Sequence, residues 1–277
     1  MLPELGWMPR LAAGLLALGL FALFVARAIR KDRREYARFR RYRSTTRRQA
    51  MMRRWLIESA VLFGGSSALV LVLTWPLVGP LLATAQALPP IAWLRNALAG
   101  GVGIGLLIGA GIGVALLTLL GVRSARREGG IVMVGDIATL LPRNRPELRW
   151  GAALSVNAGV VEEALFRLAL PALLVVVTGE PVSAFLLAAL VFGALHAYQG
   201  WVGVLATGVV GLLFTALYVV SGSIGLAMLV HALFDLRTLV VIPVTVYRVH
   251  EVPSTVLFPK PLTVPKLLLK AEDSESY

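Results

Sequence analysis

Two adjacent glutamates, Glu162 and Glu163, lie in the middle of an apolar run from Trp150 to Thr178, and Arg167 follows Glu163 by four residues. An ionised carboxylate at bilayer depth is unfavourable by roughly 2.5 kcal/mol or more, so two in succession need a role. Glu163 and Arg167, at i and i+4, share a helix face and can form an ion pair. Glu162 is turned about 100° from that face and can address a cavity. Two later apolar runs carry histidines. His196 ends the pattern F-G-A-L-H that begins at Phe192, and His231 is followed one helical turn later by Asp235.

Hydrolysis of a peptide bond needs an activated water and stabilisation of a developing oxyanion. Glu162 is the best general base, with His196 sharing or orienting the water. His231 and Asp235 would hold the oxyanion or the water, Asp235 acting through a proton or through His231, because a carboxylate repels an oxyanion. A second version places Zn²⁺ among Glu162, His196 and His231, with water in the open position. There is no H-E-x-x-H spacing, and the residues alone leave the metal-bound and metal-free versions both open. Plainer readings exist for each group: a buried ion pair with a spare protonated carboxyl, and an interfacial histidine. Intramembrane Glu, His and Asp also serve proton relays and transporters, although no inverted repeat accompanies them here.

Together the three patterns, Glu162-Glu163-x-x-x-Arg167, Phe192-x-x-x-His196 and His231-x-x-x-Asp235, resemble those of the CPBP family of intramembrane proteases, also called the Abi or type II CAAX protease family. The resemblance covers about residues 145 to 247. It implies an intramembrane endopeptidase with Glu162, Glu163, His196, His231 and Asp235 in its site and Arg167 as a structural partner. The mechanism it implies is metal-dependent or glutamate-driven. It also implies a peptide or protein substrate, membrane-anchored in some members. Asp235 stands where the prenyl-protein proteases usually carry Asn. Because some relatives are implicated in bacteriocin immunity, a non-catalytic scaffold of the same fold is the alternative.

These residues must be carried by membrane helices. The chain has 277 residues, of which 57% are hydrophobic and only 15% charged, against about a quarter charged in soluble domains. Several nearly uncharged runs approach the ~20 residues that cross a hydrocarbon core. The fold class is therefore all-α, a polytopic bundle of about seven helices. The expected spans are 11–29, 55–77, 97–120, 150–177, 182–198, 202–220 and 224–247. An eighth, around 77–94, is opposed by Pro76, Pro80, Pro89 and Pro90. Gly101, Gly105, Gly109 and Gly113 share one face of the third span, a surface suited to internal helix packing or to a dimer seam. The expected organisation is an N-terminal membrane region with basic loops (1–144), the protease-like core (145–247) and a loosely ordered cytoplasmic tail (248–277).

Net charge is +12, and thirteen of the 27 Lys and Arg residues fall between Arg27 and Arg54. Between two apolar spans, such a run fits a cytoplasmic loop facing anionic lipid better than a nucleic-acid site. Residues 121–149 add six basic residues and the tail four, against two in the opposite segments. The bias puts the N-terminus outside and the C-terminus in the cytoplasm, in the cell membrane. The first span reads as an uncleaved anchor. Without cysteine, disulfides, thiolate metal sites and a cysteine nucleophile are excluded. Spacing along ideal helices puts Glu162 and His196 at similar depths, about 24 and 21 Å from the outer ends of their spans, with His231 shallower at about 10 Å.

Overall fold

The computed structural model describes residues 6–128 and 137–262. Helix α1, Trp7–Arg27, passes through a π turn into α2, Arg33–Arg41. Helix α3, Thr45–Ser59, does the same into α4, Gly65–Gln86. The short α5, Pro89–Ala99, precedes α6, Gly101–Glu128. Then come α7, Arg145–Glu163, with α8, Leu170–Thr178, after a third π turn. Next are α9, Pro181–Leu195, and α10, Gly200–Ser221. Last are α11, Ile224–Leu236, and α12, Ile242–Thr245, with a fourth π turn between them.

No strand occurs among the described residues. Among the described residues, four rods are long and apolar enough to cross a membrane: Trp7–Arg41, Thr45–Gln86, Ala197–Ser221 and Ile224–Thr245. Pro181–Leu195 is a shorter apolar helix. Their outer faces expose Leu15, Leu69, Val72, Leu190 and Leu213, among others. In water that surface would be a liability, whereas in lipid every backbone group is already satisfied within its helix. The protein is an integral membrane all-α bundle. The α7–α8 rod carries Glu162, Glu163 and Arg167 at its centre, and a polar middle of that kind has to face inward.

The core is continuous across the bundle. Phe24 of α1 and Val70 of α4 pack in one cluster with Phe166, Leu170 and Leu173 around α8 and Phe192 of α9. A second cluster joins α4 and α8 to Phe185, Tyr218 and Ala227. Close helix contact depends on missing side chains at two places near the site. A Cβ at Gly159 would stand 2.8 Å from both Ala232 Cβ and Met228 O, so α7 and α11 touch backbone to backbone. A Cβ at Gly211 would stand 2.8 Å from the Phe192 ring.

Several expectations change. Pro76 and Pro80 lie inside α4 rather than breaking it. The carbonyls they leave free are four residues back, at Val72 and Pro76, and such breaks are tolerated in membrane helices where neighbouring groups re-satisfy them. Pro89 opens α5, where its missing N–H has no partner to lose. The glycine ladder does not pack inward. Gly101, Gly105 and Gly109 are exposed, and a Cβ at any of the four positions would meet nothing within 4 Å. Residues 27–54 are helical apart from the break at 42–44 rather than an open loop, and Arg48 among them is fully enclosed. It reaches Glu147 at 3.0 Å and the carbonyls of Thr139 and Leu141, with Phe39 beneath its guanidinium. Asn144 caps α7 through Glu147 N and donates to Thr45 Oγ1. Arg143 beside this knot is lowered to about 10, by burial first and the Arg48 cation second. At the other end of the α7–α8 rod, Glu180 caps α9 and is held below the usual carboxylate range by the Ser183 backbone N–H. Most of the expected tail, 263–277, lies outside the described residues.

Candidate active site

All four π turns among the described residues border one cavity of about 500 Å³. Such turns bulge a helix and re-aim the side chains beside them, and they are frequent at functional sites. Here they flank Asp32, Ser59, Glu162 and Asp235, each on the cavity wall. His196 and His231 also line it. Four of the chemically active residues read from the sequence are thus brought to one space, from α7, the end of α9, and α11.

Glu163 does not line that space. Its side chain is fully enclosed, and its two oxygens part company. Oε2 lies 3.1 Å from Arg167 Nε, and Oε1 accepts from His231 Nδ1 at 2.7 Å. The Arg167 contact is a charge contact without hydrogen-bond alignment. Arg167 donates instead to Gly211 O at 2.9 Å, and its guanidinium lies over the rings of Phe192 and Phe214, 4.9 and 5.6 Å from their centroids. Phe192 therefore serves both neighbours. Its ring covers Arg167, and its carbonyl accepts from His196 Nδ1 at 2.8 Å. That pairing accounts for the aromatic one turn before His196.

The i to i+4 spacing allows Asp235 either to hold His231 or to share a metal or a water with it. The structure gives the holding place to Glu163, since Asp235 Oδ2 is 3.8 Å from His231 Nε2, too long for a hydrogen bond. Helix α11 starts at Ile224, the expected start of its span, and touches α7 at Gly159. Both imidazoles commit Nδ1–H to an oxygen of the protein, which leaves Nε2 of each with its lone pair in the neutral ring. Glu162 makes no side-chain hydrogen bond or ion pair within the described residues, and it is the carboxylate of the Glu162–Glu163 pair that faces the cavity.

Histidines held at Nδ1 by an oxygen are the usual form of zinc ligands. Yet no trio of His, Asp or Glu among the described residues is gathered closely enough to hold an ion. The donor types suit Zn²⁺, and no step below is routed through a metal.

The N-terminal half contributes wall that carried no motif. Arg27, Asp32 and Tyr36 come from the α1–α2 rod, and Trp55 and Ser59 come from α3. Charges lock these helices together. Arg27 pairs with Asp32 and Glu58, Lys31 with Glu35 and Glu58, and Arg54 with both glutamates. Lys31–Glu35 and Arg54–Glu58 are local i to i+4 pairs, and the fold brings them together. Tyr198, in the turn after His196, also lines the cavity.

Residues 144–237 match the family model described as Type II CAAX prenyl endopeptidase Rce1-like. That is consistent with the CPBP, or type II CAAX protease, family, and the matched segment holds all three patterns. No curated protein and no solved structure matches the chain.

Proposed function

Taking residues 144–237 as a segment of CAAX-type membrane protease character, we propose that the protein is an intramembrane endopeptidase in which Glu162 activates the hydrolytic water. The observation that carries this reading is Glu162 itself, a carboxylate without a protein partner on the wall of a cavity shared with His196, His231 and Asp235. Glu162 takes a proton from water as the water oxygen attacks the scissile carbonyl carbon, and the C=O π pair moves onto oxygen. On collapse the C=O re-forms, the C–N bond breaks, and Glu162 returns its proton to the leaving amine. His196, held through Nδ1 on Phe192 O, accepts the water's other hydrogen at Nε2. Glu163 and Arg167 fix His231 from behind.

The substrate is a peptide or protein anchored in the same membrane, and the printed family description makes a prenylated C-terminal peptide the first probe. The basic face between Arg27 and Arg54 lies toward the cytoplasm. The test is cleavage of a fluorogenic prenylated peptide by purified protein in detergent. Glu162→Gln should lower kcat by ~10² or more, within the range of general-base contributions, with an unchanged melting temperature. Near wild-type turnover in that variant would remove Glu162 from the role. A parallel arm with a zinc chelator should leave turnover intact, and loss of activity restored by Zn²⁺ would move water activation to an ion.

A further inference from the structure

The proposed reaction needs a donor for the oxyanion, and the residues expected to supply it are poorly suited. His231 as the neutral imidazole gives its one hydrogen to Glu163, and Asp235 donates only when protonated. Arg167 is enclosed behind Phe192 and Phe214. Most other donors on the wall are committed. Trp55 Nε1 gives to Glu35 at 2.9 Å, Thr207 to Gly203 O at 2.7 Å, and Ser59 to Leu56 O at 3.3 Å. Asn157 Nδ2 gives one hydrogen to Ser59 Oγ at 2.6 Å. Arg237 also lines the cavity, but it opens the π turn that follows α11, two residues past Asp235.

Tyr198 is different. Its hydroxyl oxygen accepts from Gln199 Nε2 at 3.0 Å, while its own hydrogen has no acceptor among the described residues. The ring is seated between two others, with centroids 5.8 Å from His196 and 5.3 Å from Tyr36. It lines the same cavity as Glu162 and Asp235. The turn that places it is built for the purpose. A 3-10 turn, Ala197–Gln199, follows His196, and Gly200 at φ +83° lets the chain enter α10. A Cβ at Gly203 would stand 2.4 Å from Gln199 Cβ, so the bare glycine is what lets Gln199 sit against Tyr198.

We propose that Tyr198 is a catalytic residue whose phenol donates a hydrogen bond to the scissile carbonyl oxygen as it becomes an oxyanion, with Gln199 as the positioning residue behind it. The inference rests on the protease reading. No proton is transferred: the phenol hydrogen stays on oxygen, and the Gln199 N–H offsets the charge drawn toward that oxygen. An amide donor behind a phenol makes the pair directional, which a lone tyrosine is not.

The experiment compares wild type, Glu162→Gln, Tyr198→Phe and Gln199→Leu on the prenylated peptide, with kcat and KM separated. Removing one oxyanion donor lowers kcat by ~10²–10³ in a comparable setting. Tyr198→Phe should show a loss of that order with KM within about threefold, and Gln199→Leu a smaller loss in kcat. Cleavage by wild type that is lost in Glu162→Gln but kept at full kcat in Tyr198→Phe would overturn the tyrosine assignment alone. Equal inactivity of wild type and Glu162→Gln would overturn the protease reading and this inference with it. Should Tyr198→Phe fail to fold, 3-fluorotyrosine at position 198 keeps the shape and acidifies the phenol. The stronger donor should raise kcat at fixed pH with KM unchanged, and an unmoved kcat would overturn the proposal.

Discussion

Arg48–Glu147 and Arg167–Glu163 invite comparison. In both pairs the side chains are fully enclosed, and the charged atoms are 3.0 and 3.1 Å apart. The surroundings differ. Arg48 is surrounded by acceptors, Glu147 and two carbonyls, and its partners join the start of α3 to the start of α7. Of that knot only the Phe39 ring reaches the cavity wall, whereas Arg48, Glu147, Thr139 and Leu141 stay off it. Arg167 has one carbonyl, two aromatic faces and a carboxylate whose other oxygen holds His231. The chain of contacts continues to a group on the cavity wall. The first arrangement is a clamp between segments 99 residues apart, and the second is a mount for a side chain. Burial and distance do not separate them; what lies one contact further on does.

The largest effect expected is on stability, in Arg48→Met and Arg167→Met alike. Removing one partner of a buried pair costs roughly 3–5 kcal/mol, to be read as a lower melting temperature in detergent. The comparison sharpens at activity per folded molecule: Arg48→Met should keep it, and Arg167→Met should lose it with the seat of His231. Equal specific activities would break the distinction between clamp and mount. Glu163→Gln comes next. The amide still accepts from His231 but loses its charge, so turnover should fall about tenfold or more while the melting temperature falls less than in Arg167→Met.

Gly159→Ala tests the contact that brings the mount to its histidine. Overpacking of this kind costs about 1–3 kcal/mol, and the strain falls on backbone at Met228 and Ala232. Activity should drop further than folding does, as α11 is pushed from α7. Unchanged activity would mean that the Glu163–His231 contact tolerates a wider gap. The smallest effect is Arg43→Cys, on an exposed side chain beside the clamp. In a chain with no native cysteine, an impermeant thiol reagent should label it only after the cells are permeabilised. Labelling of intact cells would reverse the proposed orientation.

Much of this was legible in the residues. Runs without charge announced membrane helices because lipid admits little else, and three polar patterns inside such runs had to turn inward. What was not legible depends on partners far along the chain. Arg48 looked like one more member of a basic run, because nothing local to it announces Glu147. The spacing of His231 and Asp235 was read as a pair, yet the partner came from another helix. Pro76 and Pro80 were weighed by a rule drawn from helices in water, where a broken hydrogen bond has an easy alternative. Tyr198 carries no pattern at all: its role is argued from which donors around it are already committed.

The π turn at Ala164–Ala169 has a consequence for how such a chain can change. A π turn holds one residue more than the regular helix would, and each residue advances the helix by about 100°. The apolar stripe of α7 and that of α8 are therefore out of phase by one position, and a single helical wheel drawn through both would put the wrong side chains in the core. The turn can therefore absorb a change of length that the regular turns cannot. Loss of one residue at Ala164 would let it close into regular helix with Phe166 and Leu170 still on their packing faces, whereas loss of one residue within the regular turns of α7 or α8 would rotate one stripe by about 100° against its neighbours. Single-residue deletions should be tolerated best inside this turn.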